Sequence, residues 1–114
     1  MQVTFFEEAE RLIARPEGRM EAADGTELAS DIQRRLQSGT KSVTIDLAQL
    51  EFVSFGGIRA LLRLARSLRR DQRSIDFLAG NQLVRDALDQ AGLDDFFPFT
   101  PPYISNRGTK NATL

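Results

Sequence analysis

The sequence predicts an α/β fold, with helices packed on a parallel or mixed β-sheet. Two observations carry this. Segments with strand patterning alternate with segments of helical periodicity, an order that favours parallel neighbours joined by crossover helices. The chain is also only 114 residues long, with 41% hydrophobic and 27% charged residues, which suits one soluble core rather than two.

Residues 2–8 read as an opening strand, with Val3 and Phe5 on one face and Phe6 breaking the alternation. Residues 11–14, which include Leu12 and Ile13, pair with it as a hairpin, and Pro16 and Gly18 end or bend that run. Asp24 and Glu27 have capping-box spacing, so a helix is expected from there, with Leu28, Ile32 and Leu36 inward, Arg34 and Arg35 outward, and a stop at Gly39. Residues 41–47 (KSVTIDL) have the β-branched density of a buried strand. A long connection follows.

The next helix, over residues 57–70, has an apolar stripe of Ile58, Leu61, Leu62, Ala65 and Leu68. Residues 74–78 form a further strand. Asn81 caps a third helix, which buries Leu83, Val84, Ala87, Leu88 and Ala91 and ends at Gly92. Asp94 and Asp95 read as helix-start residues. Beyond Phe96, Phe97, Phe99 and the Pro101–Pro102 pair, periodicity is lost and a flexible tail is expected.

Composition removes several functions. Fifteen basic and sixteen acidic side chains give a net charge of -1, which supplies no overall field for nucleic acid or an anionic membrane. The chain has no histidine and no cysteine, so it has neither the commonest general base and metal ligand nor a thiolate; no cofactor or metal site is expected. Residues 18–25 hold two glycines but no phosphate-loop lysine. A hydrolase built on Asp46 and Ser54 is the residual enzymatic reading, and the expectation is that the protein is not an enzyme. No run approaches the ~20 apolar residues that span a bilayer, and residues 1–10 lack a signal-peptide pattern. The expected location is cytoplasmic, without membrane insertion.

Residues 44–61 (TIDLAQLEFVSFGGIRAL) resemble the STAS domain family, named for sulphate transporters and anti-sigma factor antagonists. Asp46 matches the family's strand-end aspartate, and Leu50, Phe52 and Val53 match its hydrophobic loop positions. Gly57 and Ile58 match the Gly-Leu pair that opens a helix, and Gly18-Arg19-Met20 stands where the family has Gly-x-Leu after its second strand. The resemblance covers roughly residues 2–97. It implies a STAS-like mixed sheet of about four to five strands, a domain over residues 1–97 and a tail over 98–114.

The resemblance also implies protein binding in the manner of an anti-sigma factor antagonist, with a histidine-kinase-like anti-sigma factor as partner. Such antagonists carry a phosphorylatable serine just before the motif glycine, and here that position is Gly56. Ser54 replaces the usual aspartate and Phe55 the first serine, so the usual phosphorylation switch is expected to be missing. Phe55-Gly56-Gly57 also resembles a second group, STAS subunits bound to the ATPase of a lipid-trafficking ABC transporter, although threonine is frequent there in place of Phe55.

Read as chemistry alone, a helix start near Gly56 and Gly57 presents free backbone amides. The two glycines form either a tight turn or a close-approach surface. Ser54 is either a turn cap or a candidate phosphoacceptor. Phe55 is a docking anchor if it points outward and core if it points inward. Arg59, Arg63, Arg66 and Arg70 fall on one side of the helix, as a solvated face or as a ridge for an acidic partner. The candidate partner-binding residues are therefore Ser54, Phe55, Gly56, Gly57, Ile58, Arg59 and Arg63. The edge strand near Val3 offers a homodimer contact.

Overall fold

The computed structural model describes residues 1–92. The expected tail over 98–114, and Asp94 to Phe97 before it, lie outside the described residues. The order is β1 (Gln2–Glu8), β2 (Arg11–Met20), α1 (Ala22–Arg35), β3 (Ser42–Leu47), β4 (Leu50–Val53), α2 (Phe55–Arg70), β5 (Ser74–Ala79) and α3 (Gln82–Gln90). β1 and β2 form an antiparallel hairpin. β3 pairs parallel to β2, and β5 parallel to β3. The sheet is mixed, with five strands in the order β1-β2-β3-β5 and β4 paired to β2 off that path.

Strand alternation places Leu12, Val43 and Ile75 in one row across the sheet and Ala14, Ile45 and Phe77 in the next. All six are buried, in one core with Leu28 and Ile32 of α1 and Leu61, Leu64 and Leu68 of α2. On the other face of the sheet Thr44 Oγ1 donates to Asp76 Oδ1 at 2.7 Å, so the buried hydroxyl is satisfied.

Several element bounds differ from the sequence expectation. β2 does not stop at Pro16 or Gly18 but runs to Met20. Pro16 falls between the ladder with β3, over residues 11–14, and the ladder with β4, over residues 18–20. A residue without an N–H is tolerated in that gap. Gly18, at φ +93°, takes up a register shift there. The long connection after β3 contains β4: Leu50 pairs with Gly18, Phe52 with Arg19 and Val53 with Met20. A four-residue strand is too short to show a period of its own, so only its pairing defines it.

Helix α1 starts earlier than the Asp24–Glu27 spacing indicated. Glu21 is its N-cap, and the Glu21 amide donates to Asp24 Oδ2 at 2.9 Å, putting Asp24 at the third helical position. It ends at Arg35 with Leu36 as cap, and Gly39 lies in the turn beyond. In α2 the buried stripe includes Leu64, while Leu62 is only half-buried. In α3 Val84 and Leu88 are buried, but Leu83 is exposed, because a nine-residue helix on the edge of the sheet turns one narrow face inward. The Asn81 side chain caps α3 by accepting from the Val84 amide at 2.8 Å, and its Nδ2 donates to the Leu50 carbonyl at 3.1 Å. Gly92, at φ +81°, follows the end of that helix as expected.

Candidate functional site

The motif that the sequence singled out lies where β4 hands the chain to α2. The Ser54 amide donates to the Met20 carbonyl at 2.8 Å, tying the turn to the end of β2. Ser54 is the N-cap of α2, and its Oγ accepts from the Gly57 amide at 3.0 Å. The hydroxyl therefore satisfies one of the helix's otherwise free donors, an arrangement worth about 1 kcal/mol. The helix begins at Phe55, two residues before the expected Gly57, because serine supplies the cap there.

Phe55 points outward. It is 74% exposed, and the Arg59 guanidinium lies over its ring at 5.5 Å from the centroid. Such a contact holds the ring and the charge side by side at the surface. Arg59, Arg63, Arg66 and Arg70 are all exposed. No acidic residue occurs anywhere in α2. Among the described residues, Arg63, Arg66 and Arg70 make no salt bridge.

Gly56 and Gly57 lie in the first turn of α2. Neither has positive φ, and the close approach they permit is internal. A Cβ placed on Gly56 would lie 2.5 Å from the Ala22 Cβ at the start of α1. One on Gly57 would lie 2.9 Å from the Met20 carbonyl oxygen and 3.1 Å from Val53 Cγ2. A third glycine completes the seam: a Cβ on Gly25 would lie 2.8 Å from the Ala60 Cβ. Small residues thus let α1 and α2 run closely side by side with their N-termini together. Gln33 Nε2 donates to Ser67 Oγ at 3.3 Å further along.

Of the candidate partner-binding residues, Gly57 is buried and Ile58 is 5% exposed; both face the core. Gly56 is half-buried against Ala22, and Ser54, Phe55, Arg59 and Arg63 lie at the outer edge. Ala22 and Ala60, which shape the turn from behind, were not singled out in the sequence, and Gly25 was weighed there only as part of a phosphate loop; its sign is a glycine inside a helix, where glycine is otherwise unfavourable.

Asp46 is mostly buried and fully engaged. Its Oδ2 accepts from Arg15 Nε at 3.0 Å and its Oδ1 from the Ala48 amide at 3.0 Å. Arg15 in turn lies over the Phe6 ring, 5.1 Å from the centroid. This ties the end of β3 to the sheet and builds the turn that leads into β4.

A fold of this topology, with a strand-end aspartate and a capped helix start, matches a known family model. The model described as "Mlab, STAS domain" covers residues 9–101. The chain belongs to the STAS family. Among curated proteins, this STAS domain is 28% identical over 87 residues to "Putative anti-sigma factor antagonist BtrV" of Bordetella bronchiseptica, spanning 76% of this chain and 75% of that one. An anti-sigma factor antagonist from Mycobacterium paratuberculosis has a similar structure, with a TM-score of 0.74 at 19% identity over 88% of this chain and 85% of that one. The anti-sigma factor antagonist SpoIIAA in its unphosphorylated form gives a TM-score of 0.73 at 16% identity, over 84% and 85% of the two chains. At those identities the two structures speak for the fold. The STAS domain described here has the anti-sigma factor antagonist-like fold, with its motif at the β4–α2 turn. Among its described residues no helix is long and apolar enough to cross a membrane.

Proposed function

We propose that this STAS domain, over residues 1–97, is a non-catalytic regulatory module acting in the cytoplasm. It docks a partner regulator, a histidine-kinase-like anti-sigma factor, through the turn at residues 54–59 and the outer side of α2. One observation carries the reading: Phe55, the most exposed of the large apolar side chains among the described residues, stands beside Arg59 at the head of an unpaired arginine ridge. An exposed aromatic flanked by arginine is the composition of an interface hot spot. The likeness to anti-sigma factor antagonists supports the same choice.

The docking surface lacks the usual phosphate switch. Gly56 bears no hydroxyl, and Ala22 leaves its Cβ position no room. Ser54 has a hydroxyl, but that oxygen caps α2. Capture from the native lysate tests the docking: the wild-type chain should retain the anti-sigma factor and a Phe55→Ala, Arg59→Ala variant should lose it. Retention by the variant would put the interface elsewhere. Intact-mass measurement after incubation with the captured kinase and ATP should show no added phosphate. A phosphate abolished by Ser54→Ala would refute the missing switch.

A second reading, a subunit bound to the ATPase of a lipid-trafficking ABC transporter, rests on the resemblance of Phe55-Gly56-Gly57 at the start of α2 to the STAS subunits of such transporters. It uses the same surface, and the same capture would then retain that ATPase.

A further inference from the structure

Strand β1 forms one edge of the sheet. Its seven residues pair with β2 without a bulge, and among the described residues no strand pairs along its other side. The backbone groups that face this side follow from the hairpin. Ala9 and Glu10 make a two-residue turn between Glu8 and Arg11. The pair closing such a turn is hydrogen-bonded, and hydrogen-bonded pairs recur at every second position from there. Glu8, Phe6, Thr4 and Gln2 therefore direct their amides and carbonyls to β2, and Val3, Phe5 and Glu7 direct theirs outward. The far side of the hairpin has the same phase: the Glu10 carbonyl accepts from the Ser42 amide at 3.3 Å on the β3 side, which leaves Arg11 facing β1.

An open edge is usually blunted by a lysine, a proline or a bulge. β1 has none of these, and its two charges, Glu7 and Glu8, lie together at one end. The side chains beside the edge are left partly uncovered as well. Val3 and Phe5 are half-buried, at a groove of about 250 Å³ that the exposed Glu27 and Arg35 of α1 also line. Arg35 lies over the Phe5 ring, 3.9 Å from the centroid. On the opposite face of β1, Phe6 is 40% exposed.

We propose that β1 pairs antiparallel with β1 of a second copy of this chain, about a two-fold axis at Phe5, so that two sheets become one. The proposal is independent of the docking reading, since β1 does not carry the β4–α2 turn. With the axis at Phe5, Val3 of each copy pairs with Glu7 of the other, and every outward backbone group of residues 3–7 finds a partner. Phe5 meets Phe5 across the axis, and Thr4 meets Phe6 on the other face; aromatic cross-strand pairs are favourable. Charge selects the direction. Parallel pairing would set Glu7 and Glu8 beside their own copies, whereas antiparallel pairing moves them to opposite ends and sets Glu8 across from Gln2. The helices agree with the same axis. α1 crosses back from β2 to β3, which are parallel, so it runs along β1. The two-fold reverses it, bringing Arg35 of the second copy to the Glu27 end of the groove, where the charges are complementary. The contact is isologous, as a closed dimer requires.

Sedimentation velocity of the full chain, from about 5 to 500 µM, tests the association. Strand pairing of this length is a small interface, so the expected result is a monomer–dimer equilibrium with a Kd on the order of 10–100 µM. Amide exchange over the same range locates it. The Val3, Phe5 and Glu7 amides should exchange freely at the lowest concentration and gain protection as the dimer forms, while Thr4 and Phe6 are protected throughout. Gln2 is exposed, so changing its charge leaves the single chain folded. Gln2→Lys, placing a cation across from Glu8, should tighten the dimer on the order of fivefold, and Gln2→Glu should weaken it by about as much. A chain that stays monomeric at every concentration would overturn the proposal. So would Val3, Phe5 and Glu7 amides already protected in the monomer, because the edge would then be covered within one copy. A dimer that forms without protecting those amides, or that responds to neither Gln2 variant, would place the contact on another surface and overturn it equally.

Discussion

On the inner side of α2, Ile58, Leu61, Leu64, Ala65 and Leu68 are at most 5% exposed, and Gly56 and Gly57 are pressed against Ala22 and Met20. On the outer side, one residue away in the chain, Phe55 is 74% exposed beside Arg59. The two sides begin within the same turn of helix, yet their residues answer to different constraints. The glycines, which in sequence look like the permissive part of a binding loop, are held by internal packing. The phenylalanine and the arginines, which in sequence are as compatible with core and solvated face, are left without any internal task. What sets the proposed docking side chains apart is that they have no packing role in the fold.

Four substitutions sharpen or break that contrast. The largest effect is expected on the inner side: Leu68→Ala should destabilise the domain by about 2–5 kcal/mol in urea unfolding. A loss below about 1 kcal/mol would mean that the inner side is less closely packed than described. Next comes the seam. Gly56→Ser should cost about 1–3 kcal/mol through overpacking against Ala22. The double variant Gly56→Ser, Ala22→Gly should recover much of that loss, giving a double-mutant coupling of about 0.5–3 kcal/mol. Additive losses would show that Ala22 is not what closes the position.

Smaller still is the cap. Ser54→Ala should cost about 1 kcal/mol by freeing the Gly57 amide, with little change on substitution by aspartate, which caps equally well. The smallest expected effect on stability is on the outer side. Phe55→Ala should change it by less than about 0.5 kcal/mol while abolishing partner capture. A large stability loss at Phe55 would erase the contrast between the two sides.

Most of the fold was legible in the sequence wherever an element was long enough to show its period. The stripe through Leu61, Ala65 and Leu68 announced α2, and Val43 to Ile45 announced β3. Asn81 declared the start of α3 because its capping chemistry is local. Legibility failed where an element exists only through its neighbour. β4 is four residues long and is a strand because Phe52 and Val53 pair with Arg19 and Met20. The start of α1 was misplaced because Asp24–Glu27 and Glu21–Asp24 offer the same spacing, and only the fold shows that the Glu21 amide donates to Asp24.

The candidate site divides in the same way. Its place in the chain, the family it belongs to, the missing hydroxyl at residue 56 and the arginine periodicity of α2 are properties of residue type and order, so the sequence by itself determined them. Whether Phe55 faces solvent, whether the two glycines serve a partner or the fold, and whether Ile58 is available at all depend on what packs behind the turn. Only the tertiary structure decided these, because the atoms that answer them, the Ala22 Cβ, the Met20 carbonyl and the Ala60 Cβ, come from other parts of the chain. A side chain's orientation at a helix start depends on where α1 and β2 lie, and no local pattern encodes that distance.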